Sequence, residues 1–217
     1  IVLRSISANR TATYNLVFHL KSFYIFFMKR MSNSIEDSHE FEFCKKYSNR
    51  CFTPFYGFLR ENRKIIGFIY EFMSNGSLYS FMLKNEEKFS KLLSLMTINR
   101  ILQGIGYLHS NSLVHRDIKP SNIFLSHDFV PFFSDNETIR HPSNELEKMT
   151  NDIGSELYSS PEQEQGKLVS YSTDIYSFGL VIFYLFEKKH LRSEKYVYSK
   201  NKLSKNIQFL IDLCIKE

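Results

Sequence analysis

The sequence predicts an α+β protein of two lobes, a small β-rich lobe over residues 1–73 and a larger, mainly helical lobe over residues 74–217. Residues 1–31 and 52–73 alternate apolar and polar positions as strands do, and one helix is expected between them, near 35–48. By length alone, 217 residues are enough for one large domain or for two lobes around a cleft, and 43% hydrophobic residues suffice for a core.

Three helices are expected in the second lobe. Residues 92–110 carry apolar side chains at helical spacing, and we expect all of these in the core: Leu92, Leu95, Met96, Ile98, Ile101, Leu102, Ile105 and Leu108. Gly104 and Gly106 lower the helix propensity of this segment by about 1 kcal/mol each. Residues 175–186 are almost all apolar, which is typical of a helix buried on every side, and residues 206–217 indicate a last amphipathic helix.

The most informative segment is 115–122, which reads His-Arg-Asp-Ile-Lys-Pro-Ser-Asn. It places a carboxylate, a cation and an amide close together, and it resembles the catalytic loop of protein kinases. The resemblance implies that Asp117 accepts the proton of a substrate hydroxyl, that Lys119 neutralises charge on the γ-phosphate of ATP, and that Asn122 binds Mg²⁺. Phosphoryl transfer depends mainly on positioning and charge stabilisation, which suits a base and a metal ligand held on one rigid loop.

Three further motifs follow in the order of the protein kinase family. Asp135 begins Asp-Asn-Glu where kinases have Asp-Phe-Gly, and the resemblance makes it another Mg²⁺ ligand. Residues 154–162 resemble the end of a kinase activation segment, and residues 174–179 resemble the motif that opens a large buried helix. In that motif Asp174 is expected to bond backbone amides of the catalytic loop. Glu162 has no obvious partner, because the sequence stops before the usual Arg-containing segment and before the final helix of the domain.

The first lobe contains a segment that resembles the kinase hinge. An apolar strand at 65–73 is followed by Ser-Asn-Gly-Ser-Leu. The resemblance makes Tyr70 the gatekeeper residue and places backbone groups of Glu71 and Met73 against the adenine of ATP. These three residues are therefore expected to contact the nucleotide.

Lys29 ends the segment Ile-Phe-Phe-Met-Lys, which resembles the third strand of the kinase small lobe. The resemblance implies that Lys29 contacts the α- and β-phosphates of ATP and pairs with a glutamate on the next helix. Glu40 fits the family spacing better than Glu36 or Glu42 does. We therefore assign Glu40 as the partner that holds the lysine.

The glycine-rich phosphate loop of the family is altered in this chain. Its three glycine positions fall on Ser7, Asn9 and Ala12, with Tyr14 at the position that usually covers the adenine. Glycine is favoured there because only a residue without Cβ lets backbone amides approach phosphates closely. We expect the loop to cover the phosphates less closely and the affinity for nucleotide to be lower.

Two substitutions follow Asp135. Asn136 replaces a phenyl group that in the family packs between His115 and the helix that bears Glu40. Glu137 replaces a glycine and is expected to place a carboxylate near the Mg²⁺ and phosphate site. His115 is expected to be a packing residue and not a base.

Together the motifs predict a protein serine/threonine kinase that transfers phosphate from ATP, with Mg²⁺, to protein hydroxyls at reduced activity. Lys119 favours serine or threonine as the acceptor, and the hinge and Ser-Pro-Glu segments look most like the tyrosine-kinase-like branch. Catalysis is favoured because each charged group that the chemistry needs is present. The alternative is a pseudokinase that keeps the two-lobed shape as a binding or scaffold module.

Regulation by phosphorylation is expected from the same resemblance. Arg116 would pair with a phosphate on the activation segment. Thr150 is the preferred phosphosite, and Thr138, Ser143 and Ser155 are the alternatives.

Composition and charge argue against other classes of function. The net charge is +5, and the basic run at 188–205 is interrupted by acidic and tyrosine residues, which is more typical of a solvated or docking face than of a nucleic-acid site. The apolar segment 14–28 is too short to span a membrane and is expected to form two strands. The three cysteines lack the spacing of metal ligands, and their odd number suggests a reduced, cytoplasmic protein: Cys44, Cys51 and Cys214. The expected partners are a nucleotide and a protein substrate.

Overall fold

The residues that the computed structural model describes are 1–142, 155–167, 169–189 and 203–215. Two of the candidate phosphosites, Ser143 and the preferred Thr150, lie outside the described residues. Most of the basic run also lies outside them, between 190 and 202.

The described residues form strands and helices in the predicted order. The strands are β1 (Val2–Ala8), β2 (Ala12–His19), β3 (Tyr24–Met31), β4 (Phe55–Glu61), β5 (Lys64–Glu71), β6 (Ile123–Leu125) and β7 (Pro131–Phe133). The α-helices are α1 (His39–Lys46), α2 (Leu78–Lys84), α3 (Lys91–Ser110), α4 (Pro161–Glu164), α5 (Tyr171–Glu187) and α6 (Lys205–Cys214). The α+β fold class is confirmed.

The first lobe is built on a five-stranded antiparallel sheet with the strand order β1-β2-β3-β5-β4. Apolar side chains of β5, of α1 and of the segment just before α1 form a core between the sheet and the helix: Ile35, Phe41, Ile65, Phe68 and Tyr70. Because β3 and β5 are central in this order, side chains on their inner face are shielded from solvent. Lys29 of β3 is one of them.

The apolar segment 14–28 lies in β2 and β3, so the prediction of two strands is confirmed. Within the described residues, no helix combines the length and the apolar character needed to cross a membrane.

Helix α1 is shorter than predicted, and its ends are set by local chemistry. The Ser38 hydroxyl caps the first turn by accepting a hydrogen bond from the Phe41 amide at 3.2 Å. Glu40 and Glu42 lie in the first turn and two lysines in the last, which matches the helix dipole. Glu40 and Phe41 are buried, so the helix presents a carboxylate to the interior of the lobe.

Helix α3 carries the chain toward the segment 115–122, and one part of its prediction is wrong. Its buried apolar face packs on α5 and β7 through Ile98, Ile101, Ile105 and Leu108. The other four predicted core residues are between 43% and 68% exposed: Leu92, Leu95, Met96 and Leu102. Helical periodicity identifies the apolar positions, but which of them another element covers depends on the packing of the lobe.

The two glycines of α3 have different environments, which leads to opposite predictions. A Cβ at Gly104 would lie 2.5 Å from the Phe133 ring, so the close packing of α3 on β7 requires a glycine there. A Cβ at Gly106 would meet no atom within 4 Å. We expect Gly106→Ala to raise the free energy of unfolding by about 1 kcal/mol, and Gly104→Ala to lower it by about 1–3 kcal/mol. Urea unfolding of the two variants checks this, and equal shifts would contradict the packing argument.

Candidate active site

The β6–β7 hairpin brings two of the predicted site residues to the same edge. Ile123 pairs with Phe133, and the Ser134 amide donates to the Asn122 carbonyl oxygen at 2.9 Å. Asn122 directly precedes β6, and Asp135 lies two residues after the end of β7. Their side chains therefore start from neighbouring backbone positions although the two residues are thirteen positions apart in the sequence.

The three predicted catalytic side chains form one buried cluster. Asn122 Nδ2 donates to Asp117 Oδ2 at 2.8 Å and to the Asp117 carbonyl oxygen at 3.0 Å. Lys119 Nζ lies 2.9 Å from Asp117 Oδ2. All three residues are at most 8% exposed. The Asp117 carboxylate is thus oriented by the Asn122 side chain and by Lys119. Because Asn122 Nδ2 donates both of these hydrogen bonds, Oδ1 is the Asn122 atom suited to bind a cation.

The Asp174 side chain holds the segment 115–122 through two backbone amides. Its Oδ2 accepts the His115 amide and its Oδ1 accepts the Arg116 amide, both at 2.9 Å. The sequence predicted these backbone contacts. The fully buried carboxylate also accepts from His109 Nε2 at 2.9 Å, a partner that the sequence did not indicate.

Two of the eight described non-glycine residues with positive φ lie at or beside the two candidate acidic residues. Asp135 has φ +62° and Arg116, directly before Asp117, has φ +72°. Left-handed conformations cost about 1–3 kcal/mol in residues other than glycine and are found preferentially at functional sites, where the surroundings hold them in place.

The substituted position 136 is buried beside α1, and the His115 side chain is buried as well. Asn136 is 3% exposed, and its Oδ1 makes no hydrogen bond within the described part of the chain. The fully buried His115 ring packs 4.9 Å from the Phe133 ring, and burial lowers its pKa. Its two ring nitrogens also make no hydrogen bond to the described residues, which fits a neutral packing residue.

The Lys29–Glu40 pair forms in the first lobe. Lys29 Nζ donates to Glu40 Oε2 at 2.6 Å, and Tyr70 Oη donates to Glu40 Oε1 at 2.7 Å. Burial alone lowers the pKa of Lys29. The negative charge of Glu40, followed by that of Asp135, raises this pKa by more than burial lowers it, so the net shift is upward. Burial raises the pKa of Glu40, and the contacts with Lys29 oppose that shift. The Tyr70 hydroxyl therefore orients Glu40 by binding the carboxylate oxygen that does not contact Lys29.

Glu137 makes a second contact with the same lysine. Its Oε2 lies 3.3 Å from Lys29 Nζ, while 56% of the Glu137 side chain remains exposed. The carboxylate thus lies on the side of Lys29 that is open to the cleft. The negative charge of Asp135 also raises the pKa of Lys29.

In each of the two hinge residues one backbone group takes part in a hydrogen bond. The Glu71 amide donates to the Pro54 carbonyl oxygen at 2.9 Å, so the carbonyl of Glu71 is its candidate acceptor for adenine. The Met73 carbonyl oxygen accepts the Gly76 amide at 3.0 Å, so the amide of Met73 is its candidate donor. The side chain of Glu71 turns toward Tyr56, whose hydroxyl donates to it at 3.2 Å.

The prediction that Glu162 lacks a partner is wrong. Its Oε1 accepts from Thr173 Oγ1 at 2.9 Å and from Ser172 Oγ at 3.2 Å. Burial raises the pKa of this carboxyl, but hydrogen bonds from its own backbone and from Thr173 lower it more, and the net shift is downward. The prediction considered only an arginine, whereas hydroxyl groups brought in by α5 also satisfy the carboxylate.

The donor set suits Mg²⁺ only in combination with a nucleotide. No group of three or more His, Cys, Asp or Glu side chains within the described ranges could hold a metal by itself. Mg²⁺ is usually bound through one or two protein oxygens together with substrate phosphates and waters. Asp135 and the side-chain oxygen Oδ1 of Asn122 are the candidates for that kind of partial site.

Comparison with known families agrees with this geometry. The sequence model of the protein kinase domain matches residues 10–215. The chain belongs to the protein kinase family. The resemblance seen in the motifs is thereby confirmed, and the sheet and helices described above are the small and large lobes of a kinase domain.

Curated relatives show how far the similarity extends. The chain is 30% identical over 138 residues to a probable LIM domain-containing serine/threonine-protein kinase of Dictyostelium discoideum, covering 64% of this chain and 21% of that protein. It is 31% identical over 137 residues to mitogen-activated protein kinase kinase 1c of Physcomitrium patens, covering 63% and 38%. It is 36% identical over 118 residues to a probable serine/threonine-protein kinase of Clostridium acetobutylicum, covering 53% and 18%. The chain thus spans only part of each relative.

Two contacts that position the catalytic loop of the kinase domain were missed by sequence reasoning. His109 bonds Asp174, as described, and Gln163 Nε2 donates to the Arg116 carbonyl oxygen at 2.8 Å. His109 lies at the end of a long helix and Gln163 follows Pro-Glu, and neither position carries a motif. Only the packing of the large lobe brings them to the loop.

Proposed function

We propose that this kinase domain is a protein serine/threonine kinase that transfers the γ-phosphate of ATP to protein hydroxyls with Mg²⁺ as cofactor. The observation that carries the proposal is the buried cluster of Asp117, Lys119 and Asn122 beside Asp135. A base, a cation and two metal ligands are what phosphoryl transfer requires of the protein. The names of the relatives support the choice of serine and threonine.

In this mechanism the chain's own residues position the reactants. Asp117 accepts the proton of the substrate hydroxyl through the carboxylate that Asn122 and Lys119 orient. Lys119, held beside that carboxylate, neutralises charge on the γ-phosphate. Bound through Asp135 and Asn122, Mg²⁺ would supply charge neutralisation at the phosphates.

The nucleotide would occupy the cleft between Lys29 and the hinge. Lys29 contacts the α- and β-phosphates while Glu40 and Tyr70 hold it in place. The Glu71 carbonyl and the Met73 amide bind the adenine edge. On this basis we place the small lobe at 1–73 and the large lobe at 74–217 of one domain, with a nucleotide and a protein as its partners in the cytoplasm.

The direct test is nucleotide binding measured by thermal shift, with and without Mg²⁺, followed by phosphate transfer to peptides containing serine, threonine or tyrosine. We expect a rise in melting temperature with ATP that is larger with Mg²⁺, and transfer to serine or threonine peptides. Transfer to tyrosine alone would contradict the assigned acceptor. No stabilisation by any nucleotide would contradict the proposed site.

A pseudokinase scaffold is the second candidate, and the Glu137 contact with Lys29 favours it. The carboxylate sits on the cation that ATP would use, and Asn136 leaves a buried polar atom where an apolar group would pack. Both features lower the expected affinity or the population of the active state, but neither removes a catalytic group.

The double change Asn136→Phe with Glu137→Gly distinguishes the two candidates. We expect it to raise the transfer rate, because it removes a buried unsatisfied oxygen and a carboxylate close to the phosphates. Single-turnover transfer with saturating Mg²⁺ is the measurement, and Asp117→Asn in the same background is the control. A folded double variant that still binds no nucleotide, yet binds protein partners, would decide for the scaffold.

A further inference from the structure

Two internal contacts place the chain's own acceptors on groups that would otherwise bind phosphate. The first is the Glu137 carboxylate, 3.3 Å from Lys29 Nζ. Lys29 is buried, and Glu40 already occupies its inner side, so Glu137 takes the position from which an incoming anion would approach. The cation is therefore paired on two sides before any ligand arrives.

The second contact lies in the turn between β1 and β2. Asn9 Oδ1 accepts the Thr11 amide at 2.9 Å, the Ala12 amide at 2.7 Å and the Thr11 hydroxyl at 3.1 Å. A single carboxamide oxygen thus takes two consecutive backbone N–H groups. Successive amides of a turn are the groups that form an anion-binding concavity in phosphate loops.

The turn and the Lys29 contact belong to one region of the small lobe. Tyr14, two residues beyond Ala12, pairs with Lys29 across β2 and β3. Burial raises the pKa of Tyr14, and the charges of Lys29, Asp135 and Glu137 also act on it. The start of β2 therefore leads directly to the charged cluster of the cleft.

We infer that the phosphate subsite is partly filled by these two internal acceptors, so that the pocket gains little from the phosphates of a nucleotide and discriminates poorly between ATP and adenosine. The inference rests on the nucleotide site of the proposed function. Each phosphate contact must first displace an existing one: Glu137 from Lys29, and Asn9 from two amides. Because the exchange replaces one hydrogen bond or ion pair by another, the phosphates add little to the free energy of binding.

Calorimetric titration with adenosine and with Mg²⁺–ATP tests the inference on the wild type, Asn9→Ala, Glu137→Gln and the double variant. Each single change should tighten ATP binding by roughly 3- to 10-fold. The double variant should show about the product of the two effects, because the acceptors share no partner. Adenosine affinity should stay within about twofold in every variant, because it has no phosphate to compete.

Asn9→Asp is the matched control for the turn. It keeps the acceptor oxygen and adds a negative charge, so ATP binding should weaken while adenosine binding does not change. Alanine fits the backbone at this position, since Asn9 is not among the residues with positive φ. Amide hydrogen exchange adds a readout without ligand: Thr11 and Ala12 should exchange faster in Asn9→Ala than in the wild type.

The outcomes separate this inference from the proposed function. ATP binding of equal strength in all variants would overturn the inference and leave the kinase assignment standing. Unchanged exchange at Thr11 and Ala12 would overturn the part that concerns Asn9. Failure of both adenosine and ATP to bind any folded variant would overturn the proposed nucleotide site and the inference with it.

Discussion

Asp117→Asn should abolish phosphate transfer by this domain, with a loss of roughly 10²–10⁴-fold, while nucleotide binding stays largely intact. The two effects differ because the base and the lysine assigned to the α- and β-phosphates lie in different lobes. Asp117 is hydrogen-bonded to Lys119 and Asn122 in the catalytic cluster, whereas the α- and β-phosphates of the nucleotide are assigned to Lys29 in the other lobe. A base acts only in the chemical step, so its removal affects the rate and not the binding. Single-turnover kinetics and ATP titration of the same preparation measure the two quantities separately.

Asp135→Asn serves as the comparison for this result. It removes a predicted metal ligand, so both transfer and Mg²⁺-dependent nucleotide binding should weaken. A loss of binding in Asp117→Asn as large as in Asp135→Asn would contradict the division of roles. Equal activity in both variants and the wild type would identify a contaminating kinase as the source.

Glu40→Ala should lower the free energy of unfolding by about 3–5 kcal/mol, because it leaves the buried Lys29 ammonium without its closest partner. The loss should fall at the low end of that range, since Glu137 remains 3.3 Å from the lysine. The pKa of Lys29 should also fall, because the charge that raises it most is removed. Urea unfolding at neutral pH gives the change in free energy.

Glu42→Ala is the matched control, since Glu42 lies in the same turn of α1 and pairs with the exposed Lys46. Its replacement should leave stability unchanged within error. Tyr70→Phe tests the second oxygen of Glu40 and should cost about 1–3 kcal/mol, because a buried acceptor loses its donor. If Glu42→Ala destabilised the protein as much as Glu40→Ala, the assignment of Glu40 as the partner of Lys29 would fail.

Sequence reasoning succeeded where a pattern is local. The strands of the small lobe, helix α1 and the long helices α3 and α5 were predicted in order, because periodicity within one segment determines which face can be buried. The choice of Glu40 over Glu36 and Glu42 followed from the spacing that the resemblance to kinases implies, and in the structure that carboxylate accepts a hydrogen bond from Lys29. The contact of Asp174 with the loop amides was predicted from the motif alone.

The failures share one cause. The exposed half of α3, the hydroxyl partners of Glu162 and the contact of His109 with Asp174 all depend on which elements pack together. Hydroxyl and imidazole groups are versatile donors that carry no motif, so their partners cannot be found from spacing.

The order of the elements, the family and the chemical types at the site were thus determined by the sequence itself, because each is encoded in short runs of neighbouring residues. The tertiary structure alone decided those contacts that no motif indicates, such as that of Glu137 with Lys29 and that of His109 with Asp174. Glu137 and Lys29 are 108 positions apart, and no local pattern links them. Their contact exists because β3 and the turn after β7 face the same cleft, and it places a carboxylate on the cation that a phosphate would need.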